Sequence, residues 1–441
     1  MSAIAGFMAD RGNTVVGSDR AFDMDPDNPL IKVFQSRGIS IVPQDGSGID
    51  NTFDFAVFST AVEDDRPEVI KARSLGIPAK TRPGYLAEIT SSFKTIAVSG
   101  TSGKSTASGL LAFLMYRLGL EPNFMGGGRV KQFRSHTQAG NSHAGKSDIL
   151  IIEACESDGS IIHYLPEHTI ILNLSLDHHT IDTTADMFNT LVKNTRNRIL
   201  MNGDDRNLDS ITARNTVYFS IHNSSQYIAE DIVLHPFHSD FTVKGTGFNL
   251  LLPGEHNIYN ALSCIAFLSE TGIPLDTIAS IMPEFRGIDR RFDVHLNESG
   301  AFVIDDYAHN PHKIESMMNT ARKLSDNICY IFQPHGFGPT KMMKQEYIET
   351  FVNNLRNTDH LILLPIFYAG GTAGRDISSD DLANEIVAQG KSAEVIQERD
   401  NVLEKVHDFR CFIIFGARDE TLSSFAEKLA GAVKKQNCKF I

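Results

Sequence analysis

Apolar residues along this chain fall into short continuous runs closed by polar or glycine-rich turns, and between the runs they recur three and four positions apart. The first pattern is that of buried parallel strands and the second that of helices packed on them. Residues 95–99 (T-I-A-V-S) predict such a strand. After a glycine turn, Ala107, Leu110, Leu111, Leu114, Met115 and Leu118 line one face of a helix. Residues 147–153 form an apolar run ending in Glu153, and residues 169–178 repeat the design with His178 at the tip. From Thr216 to Leu252 the pattern shifts to short alternating runs split by polar turns, which predicts an antiparallel meander. A helix then opens after Gly254 and runs to about Gly272. Beyond Arg291 the runs 302–307, 329–333, 360–365 and 411–417 alternate with helical patterns, as in a parallel sheet covered on both faces.

The opening is less regular. Residues 1–12 predict a helix closed by Gly12, and residues 14–19 a strand with Asp19 at its end. Helix followed by acid-tipped strand is the second half of a dinucleotide-type β-α-β unit; the strand and glycine loop of its first half are missing from the sequence. A strand at 53–60, a helix at 68–76 and a turn with a short helix at 82–89 complete a small α/β domain ending near Phe93. The expected division is 1–93, 94–290 and 291–441, in keeping with a length of 441 residues.

The turn after residue 99 carries the clearest chemistry. Gly100, Thr101, Ser102, Gly103, Lys104, Ser105 and Thr106 stand between strand and helix. Glycines there let successive N–H groups turn inward at a helix N-terminus, which makes an anion cradle. Lys104 adds a point charge for terminal phosphates, and Ser105 the hydroxyl that a phosphate-bound Mg²⁺ takes as ligand. Val98 stands where the full eight-residue phosphate-loop pattern has glycine, so the motif is a shortened one.

Composition narrows the class. Charged residues make up 22% and apolar residues 41%, as in an ordinary globular enzyme. A net charge of −13 opposes a nucleic-acid backbone, so no nucleic-acid partner is expected. The five cysteines (155, 264, 329, 411, 438) form no C-x-x-C pair and predict reduced thiols in a cytoplasmic protein. No apolar run reaches membrane-spanning length, and no secretory leader opens the sequence, so no membrane partner is expected.

Six motifs follow one another: 100–106 (G-T-S-G-K-S-T), 153–158 (E-A-C-E-S-D), 173–178 (N-L-S-L-D-H), 254–261 (G-E-H-N-I-Y-N-A), 290–293 (R-R-F-D) and 305–311 (D-D-Y-A-H-N-P). In this order the chain resembles the Mur ligases, ATP-dependent ligases that build the peptide of bacterial cell-wall precursors, and most of all their alanine-adding branch. Residues 58–62, 82–89 and 332–335 extend the resemblance through all three regions.

The resemblance implies an α/β, three-domain architecture: a truncated Rossmann-like N-terminal domain for the UDP-substrate, a phosphate-loop ATPase domain, and a Rossmann-like C-terminal domain for the amino acid. It implies ATP and Mg²⁺ as cofactors and small-molecule substrates, a UDP-sugar carboxylate and an amino acid or peptide, in a monomer or homodimer. Lys104 is then expected on the β- and γ-phosphates, Ser105, Glu153 and His178 on Mg²⁺, and Arg291 on the γ-phosphate. Asn257 and Asn260 match the adenine side, with a second reading as helix-start residues. Asp306 and His309 match the contacts to ribose and the reacting groups. Lys104, Glu153, His178, Arg291 and His309 are the expected catalytic set. His179 and Lys193 read as structural and surface residues.

Two further departures bear on the substrate. The alanine-adding branch carries arginines after its P-H, whereas residues 334–340 read P-H-G-F-G-P-T. The C-terminal glycine turn is replaced by residues 416–420 (G-A-R-D-E), where Arg418 brings a positive charge. Alternatives therefore remain: a murein tripeptide recycling ligase, a relative with another amine and acid, or a non-catalytic nucleotide-binding regulator.

Overall fold

A computed structural model describes residues 1–60, 62–176, 179–368, 374–419 and 421–437, with the backbone alone at 437. It divides into two compact units, Met1–Asp289 and Arg290–Ile441.

The first unit is built on a ten-stranded sheet. Its order is Thr246–Leu250, Ser239–Val243, Tyr227–Leu234, Thr216–Ser220, Ile199–Asn202, His168–Ile171, Lys94–Ser99, Ile149–Glu153, Asn123–Met125 and Ser142–His143. The central strands are parallel and buried on both sides, which is why they read as continuous apolar runs. Alternation sorts their side chains into two cores. Ile96, Val98, Ile151, Ile170, Leu172 and Leu200 face one layer, and Ala97, Leu150, Ile152, Ile171, Ile199 and Met201 face the other. Two small parallel pairs, Val15–Gly17 with Ile39–Ile41 and Ala56–Phe58 with Ala79–Thr81, lie in the N-terminal part.

Two expectations change here. The helix Lys104–Arg117 is buried from Lys104 to Met115 rather than along one face. It packs against the helix Glu255–Glu270 as well as against the sheet. It is closed in on a further side as well: a Cβ on Gly109 would stand 2.6 Å from Ile288 Cδ1 and 2.9 Å from Val130 Cγ2. The meander is also shorter than the alternating pattern predicts. Thr216–Ser220 pairs in parallel with both neighbours, and only the three strands from Tyr227 to Leu250 run antiparallel. Thr216–Ser220 overlaps Tyr227–Leu234 by only two residue pairs, so a six-residue link joins parallel strands without a helical crossover.

The second unit holds a six-stranded sheet in the order Asp293–Glu298, Ala301–Asp306, Cys411–Gly416, Cys329–Gln333, His360–Leu363, Ala393–Val395. Five strands are parallel: the four predicted runs and an additional edge strand, Ala393–Val395; Asp293–Glu298 forms an antiparallel hairpin edge with Ala301–Asp306. One face packs on the helix Thr421–Asn437 through Val303, Ile331, Phe412 and Leu429. On the other, Phe332 meets Tyr347, Phe351 and Phe415 at ring-centroid distances of 5.4, 5.4 and 5.1 Å. Cys155, Cys264, Cys329 and Cys411 are free thiols, and Cys438 lies outside the described residues. Among the described residues no helix is long and apolar enough to cross a membrane.

Candidate active site

The first unit gathers its polar groups where the strand Lys94–Ser99 gives way to the helix Lys104–Arg117. Gly100 (φ 139°) and Gly103 (φ 83°) occupy backbone conformations that side chains disfavour. Gly103 is the N-cap, and among the described residues no side chain caps the start of the helix. The loop is held from below by the segment after His168–Ile171. Thr101 Oγ1 donates to Asn173 Oδ1 at 2.9 Å, Ser102 N donates to the same oxygen at 2.8 Å, and Asn173 Nδ2 donates to Ser102 O at 3.1 Å. Ser175 N donates to Thr101 Oγ1 at 3.0 Å. The N-L-S of the third motif thus serves the first.

Lys104 is buried and folds back over its own loop, with Nζ 2.5 Å from Gly100 O. Its ammonium lies 2.9 Å from Glu156 Oε2, with only 10% and 2% of the two side chains exposed. Burial acts to lower the lysine pKa, but Glu156, Cys155 and Glu153 outweigh it, and the pKa ends above the usual lysine value. The neighbouring carboxylates thus favour the charged form of Lys104. Glu156 was not among the expected site residues, although a second carboxylate three positions after Glu153 was the visible signal.

Glu153 ends the strand Ile149–Glu153 beside Val98. Its Oε2 accepts from Ser105 Oγ at 2.8 Å and from Gly127 N at 2.9 Å. The glycines that follow Met125 close on this pair: a Cβ on Gly127 would come 2.8 Å from Glu153 Oε2, and one on Gly128 3.1 Å from Ser105 Cβ. Hydroxyl and carboxylate oxygens are the donors a hard divalent cation selects, so Ser105 and Glu153 fit Mg²⁺. A glycine loop with a charged lysine fits a polyphosphate. Thr106 is buried in the first helical turn.

Asn257 and Asn260 are buried in the helix Glu255–Glu270. Asn260 backs the phosphate loop, since a Cβ on Gly103 would lie 2.2 Å from its Oδ1. Asn260 Nδ2 donates to Asn257 Oδ1 at 3.2 Å, and Asn257 Nδ2 donates to Pro253 O at 2.8 Å. His178 lies outside the described residues. The neighbouring His179 has a buried Nε2 without a hydrogen-bond partner among the described residues, and Lys193 is exposed.

The second unit carries its own cluster around Tyr307. The guanidinium of Arg291 stands over the Tyr307 ring at 5.0 Å and that of Arg290 at 5.4 Å. The paired arginines differ in use. Arg290 is buried against Asp305, with Nε 3.2 Å from Oδ2, and its Nη1 donates to Ala417 O and Asp419 O. Burial raises the Asp305 pKa to about 6 despite Arg290 and Ser423. Asp306 accepts from Phe292 N at 2.7 Å and Ala308 N at 2.8 Å; burial raises its pKa against the pull of Arg291.

His309 is held by two carbonyl contacts. Its Nδ1 lies 2.9 Å from Tyr307 O, and its own carbonyl accepts from Tyr347 Oη at 2.6 Å. Burial, then the positive charge of Lys313, drives its pKa down to about 3. A neutral ring beside a carbonyl must donate from Nδ1, which leaves Nε2 as an acceptor. The loop of His335 meets that of Arg418, whose N–H lies 3.4 Å from His335 Nδ1.

Three sequence profiles match this chain in order: the Mur ligase family catalytic domain over residues 1–94, the Mur ligase middle domain over 98–268, and the Mur ligase glutamate ligase domain over 290–434. The UDP-N-acetylmuramate–L-alanine ligase of Caldicellulosiruptor saccharolyticus is 30% identical over 92% of this chain and 90% of its own length. That of Persephonella marina is 28% identical over 98% and 96%. In fold, the chain is similar to the crystal structure of UDP-N-acetylmuramate–alanine ligase from Thermotoga maritima (TM-score 0.81, 22% identity, 99% of this chain and 97% of that one). It also resembles a murein peptide ligase from Psychrobacter arcticus (TM-score 0.72, 21% identity, 98% and 96%). With these matches along its whole length and a charged phosphate loop in place, the chain belongs to the Mur ligase family, the three-domain ATP-dependent ligases.

Proposed function

We propose that this ligase joins L-alanine to the carboxylate of UDP-N-acetylmuramate in the cytoplasm, with Mg²⁺ as its metal. The substrate assignment rests on relatives of that name that match over about nine-tenths of both chains. The chemistry rests on one observation above the rest: Ser105 Oγ and Glu153 Oε2 lie 2.8 Å apart beside the lysine of a glycine loop. A carboxylate is a poor electrophile. Transfer of the γ-phosphoryl group of ATP to it gives an acyl phosphate and ADP; the amine attacks the acyl carbon, and phosphate leaves as the amide forms.

The residues divide that work. The loop 100–106 cradles the phosphates through its N–H groups, and Lys104 stabilises charge on the β- and γ-phosphates. Ser105 and Glu153, with His178, hold Mg²⁺, which when bound supplies positive charge to the transferring group. Asn260 fixes the loop from behind and reaches, with Asn257, toward the adenine side. Arg291 meets the γ-phosphate, and Asp306 the ribose. His309, neutral with Nε2 as acceptor, orients an N–H of the incoming amine.

A second reading has one feature in its favour. Residues 334–340 lack arginine, and a murein peptide ligase shares the fold. Phosphate release from ATP and UDP-N-acetylmuramate, with L-alanine or with the tripeptide L-Ala-γ-D-Glu-meso-diaminopimelate, separates the two. Turnover with L-alanine is expected; turnover with the tripeptide alone overturns the assignment.

A further inference from the structure

The hairpin formed by Tyr227–Leu234 and Ser239–Val243 turns through residues 234–239, with His235 N donating to His238 O at 2.9 Å. That turn brings two imidazoles and a carboxylate together. His235 Nε2 lies 3.0 Å and His238 Nε2 3.5 Å from the same oxygen, Asp240 Oδ2. The two rings stack with centroids 4.0 Å apart and planes 11° from parallel. One ligand atom from each residue falls within 4.8 Å of the others.

The two nitrogen–oxygen separations lie close to the edge of a coordination polyhedron. Zinc bound at about 2.0–2.1 Å to nitrogen and oxygen in a tetrahedron sets its ligands about 3.3 Å apart. Distances of 3.0 and 3.5 Å bracket that edge. The carboxylate is already oriented for one-oxygen ligation: Asn249 Nδ2 donates to Asp240 Oδ1 at 2.7 Å, which occupies the other oxygen and leaves Oδ2 toward the imidazoles. A hydrogen-bonded outer partner of this kind is a regular part of zinc sites. The backbone is shaped to suit. A bulge between Glu230 and Val233, with Asp231 at φ 50°, shifts the register so that Val233 pairs with Asp240. All three side chains keep between 35% and 41% of their surface exposed, so an ion reaches them directly from solvent.

We propose that His235, His238 and Asp240 form a surface site for a borderline divalent ion of the zinc class, with the fourth position open to water. Two imidazoles and one carboxylate select Zn²⁺, Ni²⁺ or Cu²⁺ over Mg²⁺, which takes oxygen donors and keeps its waters. The site is separate from the oxygen-donor pair Ser105 and Glu153, which stands on other elements. Its effect is to clamp the end of the hairpin and so to stabilise the folded unit in proportion to bound metal.

The test uses chelator-stripped full-length protein titrated with Zn²⁺ by calorimetry and with Co²⁺ by visible absorption. Expected is one equivalent per chain that the H235A/H238A double variant lacks, with a thermal midpoint that rises with Zn²⁺ in the parent only. Asn249→Ala should weaken that equivalent by about tenfold. If the double variant folds poorly, His238→Gln gives the same reading, a loss of tenfold or more in affinity. Equal stoichiometry and affinity in parent and variant would overturn the site, as would no Zn²⁺-dependent rise in the parent midpoint. Ligase turnover in Mg²⁺ should be equal in all variants, because none of these residues belongs to the phosphate loop or the Tyr307 cluster.

Discussion

Lys104 Nζ and Glu156 Oε2 lie 2.9 Å apart with both side chains almost wholly buried. The pair has two consequences that pull apart under mutation. For the proposed reaction, Lys104 would supply the positive charge of the phosphate loop. For the fold, each charge compensates the other where solvent does not reach. Lys104→Met removes turnover and also strands a buried carboxylate, which costs about 3–5 kcal/mol. The double variant Lys104→Met/Glu156→Gln should regain most of that stability and none of the turnover. Urea unfolding and phosphate release on the four members of the cycle check this. Additive stability losses would mean that the two residues are not coupled.

Gly103 is fixed by a neighbour as well as by its φ. Gly103→Ala places a left-handed conformation on a residue with a Cβ, at a cost of about 1–2 kcal/mol. It also drives that Cβ to 2.2 Å from Asn260 Oδ1. A loss of stability beyond the backbone cost and at least tenfold weaker ATP binding are expected. Adding Asn260→Ala should return part of the stability by removing the clash, while the φ cost stays. Thermal unfolding and equilibrium binding of an ATP analogue measure both. ATP affinity unchanged in Gly103→Ala would remove the loop from the nucleotide site.

Much of this was legible in the sequence because the central strands are buried on both faces. Residues 95–99 and 147–153 can be read as strands without knowing their partners, and the phosphate loop is read from the turn between strand and helix. What depends on partners was not legible. The burial of the helix on all sides from Lys104 to Met115 follows in part from the helix Glu255–Glu270, far away in sequence. The parallel pairing of Thr216–Ser220 follows from a two-residue overlap that no periodicity records. In the site, Glu156 was one letter of a motif until its carboxylate met Lys104, and Asn173 gained its role only by lying under Thr101 and Ser102. The antiparallel edge Asp293–Glu298 was missed because a short, mostly polar stretch at a sheet edge resembles a linker.

Ser105 and Glu153 should separate the metal's role from that of the lysine. If Ser105 is a Mg²⁺ ligand as proposed, Ser105→Ala removes one neutral oxygen donor, and the Mg²⁺ concentration for half-maximal turnover should rise about tenfold, a change worth about 1.4 kcal/mol. Glu153→Ala removes the charged donor and should cost several kcal/mol of transition-state stabilisation, leaving no measurable turnover. Phosphate release against Mg²⁺ concentration gives both values. Equal Mg²⁺ dependence in Ser105→Ala and the parent would exclude the hydroxyl as a ligand.

His309 gives a pH dependence whose sign is fixed. Its pKa in the folded chain is lowered to about 3 from an ordinary 6.5, by burial first and by the positive charge of Lys313 second. Between those values the unfolded chain binds a proton that the folded chain refuses. The stability contributed by neutral His309 is therefore full above about pH 6.5, declines as pH falls, and is lost on passing below about pH 3. Within that window the slope from this one group approaches, at most, about 1.4 kcal/mol per pH unit. His309→Gln keeps a polar side chain without the titration, so its urea-unfolding stability should fall less than the parent's from pH 6.5 to 4.5, where most carboxylates remain ionised. Parallel curves for parent and variant would show that the imidazole titrates normally. The same ring followed by NMR should show no titration between pH 5 and 8. An acidic limb in the turnover profile over that range must then come from substrate or from another group, because a ring that stays neutral offers Nε2 as an acceptor throughout.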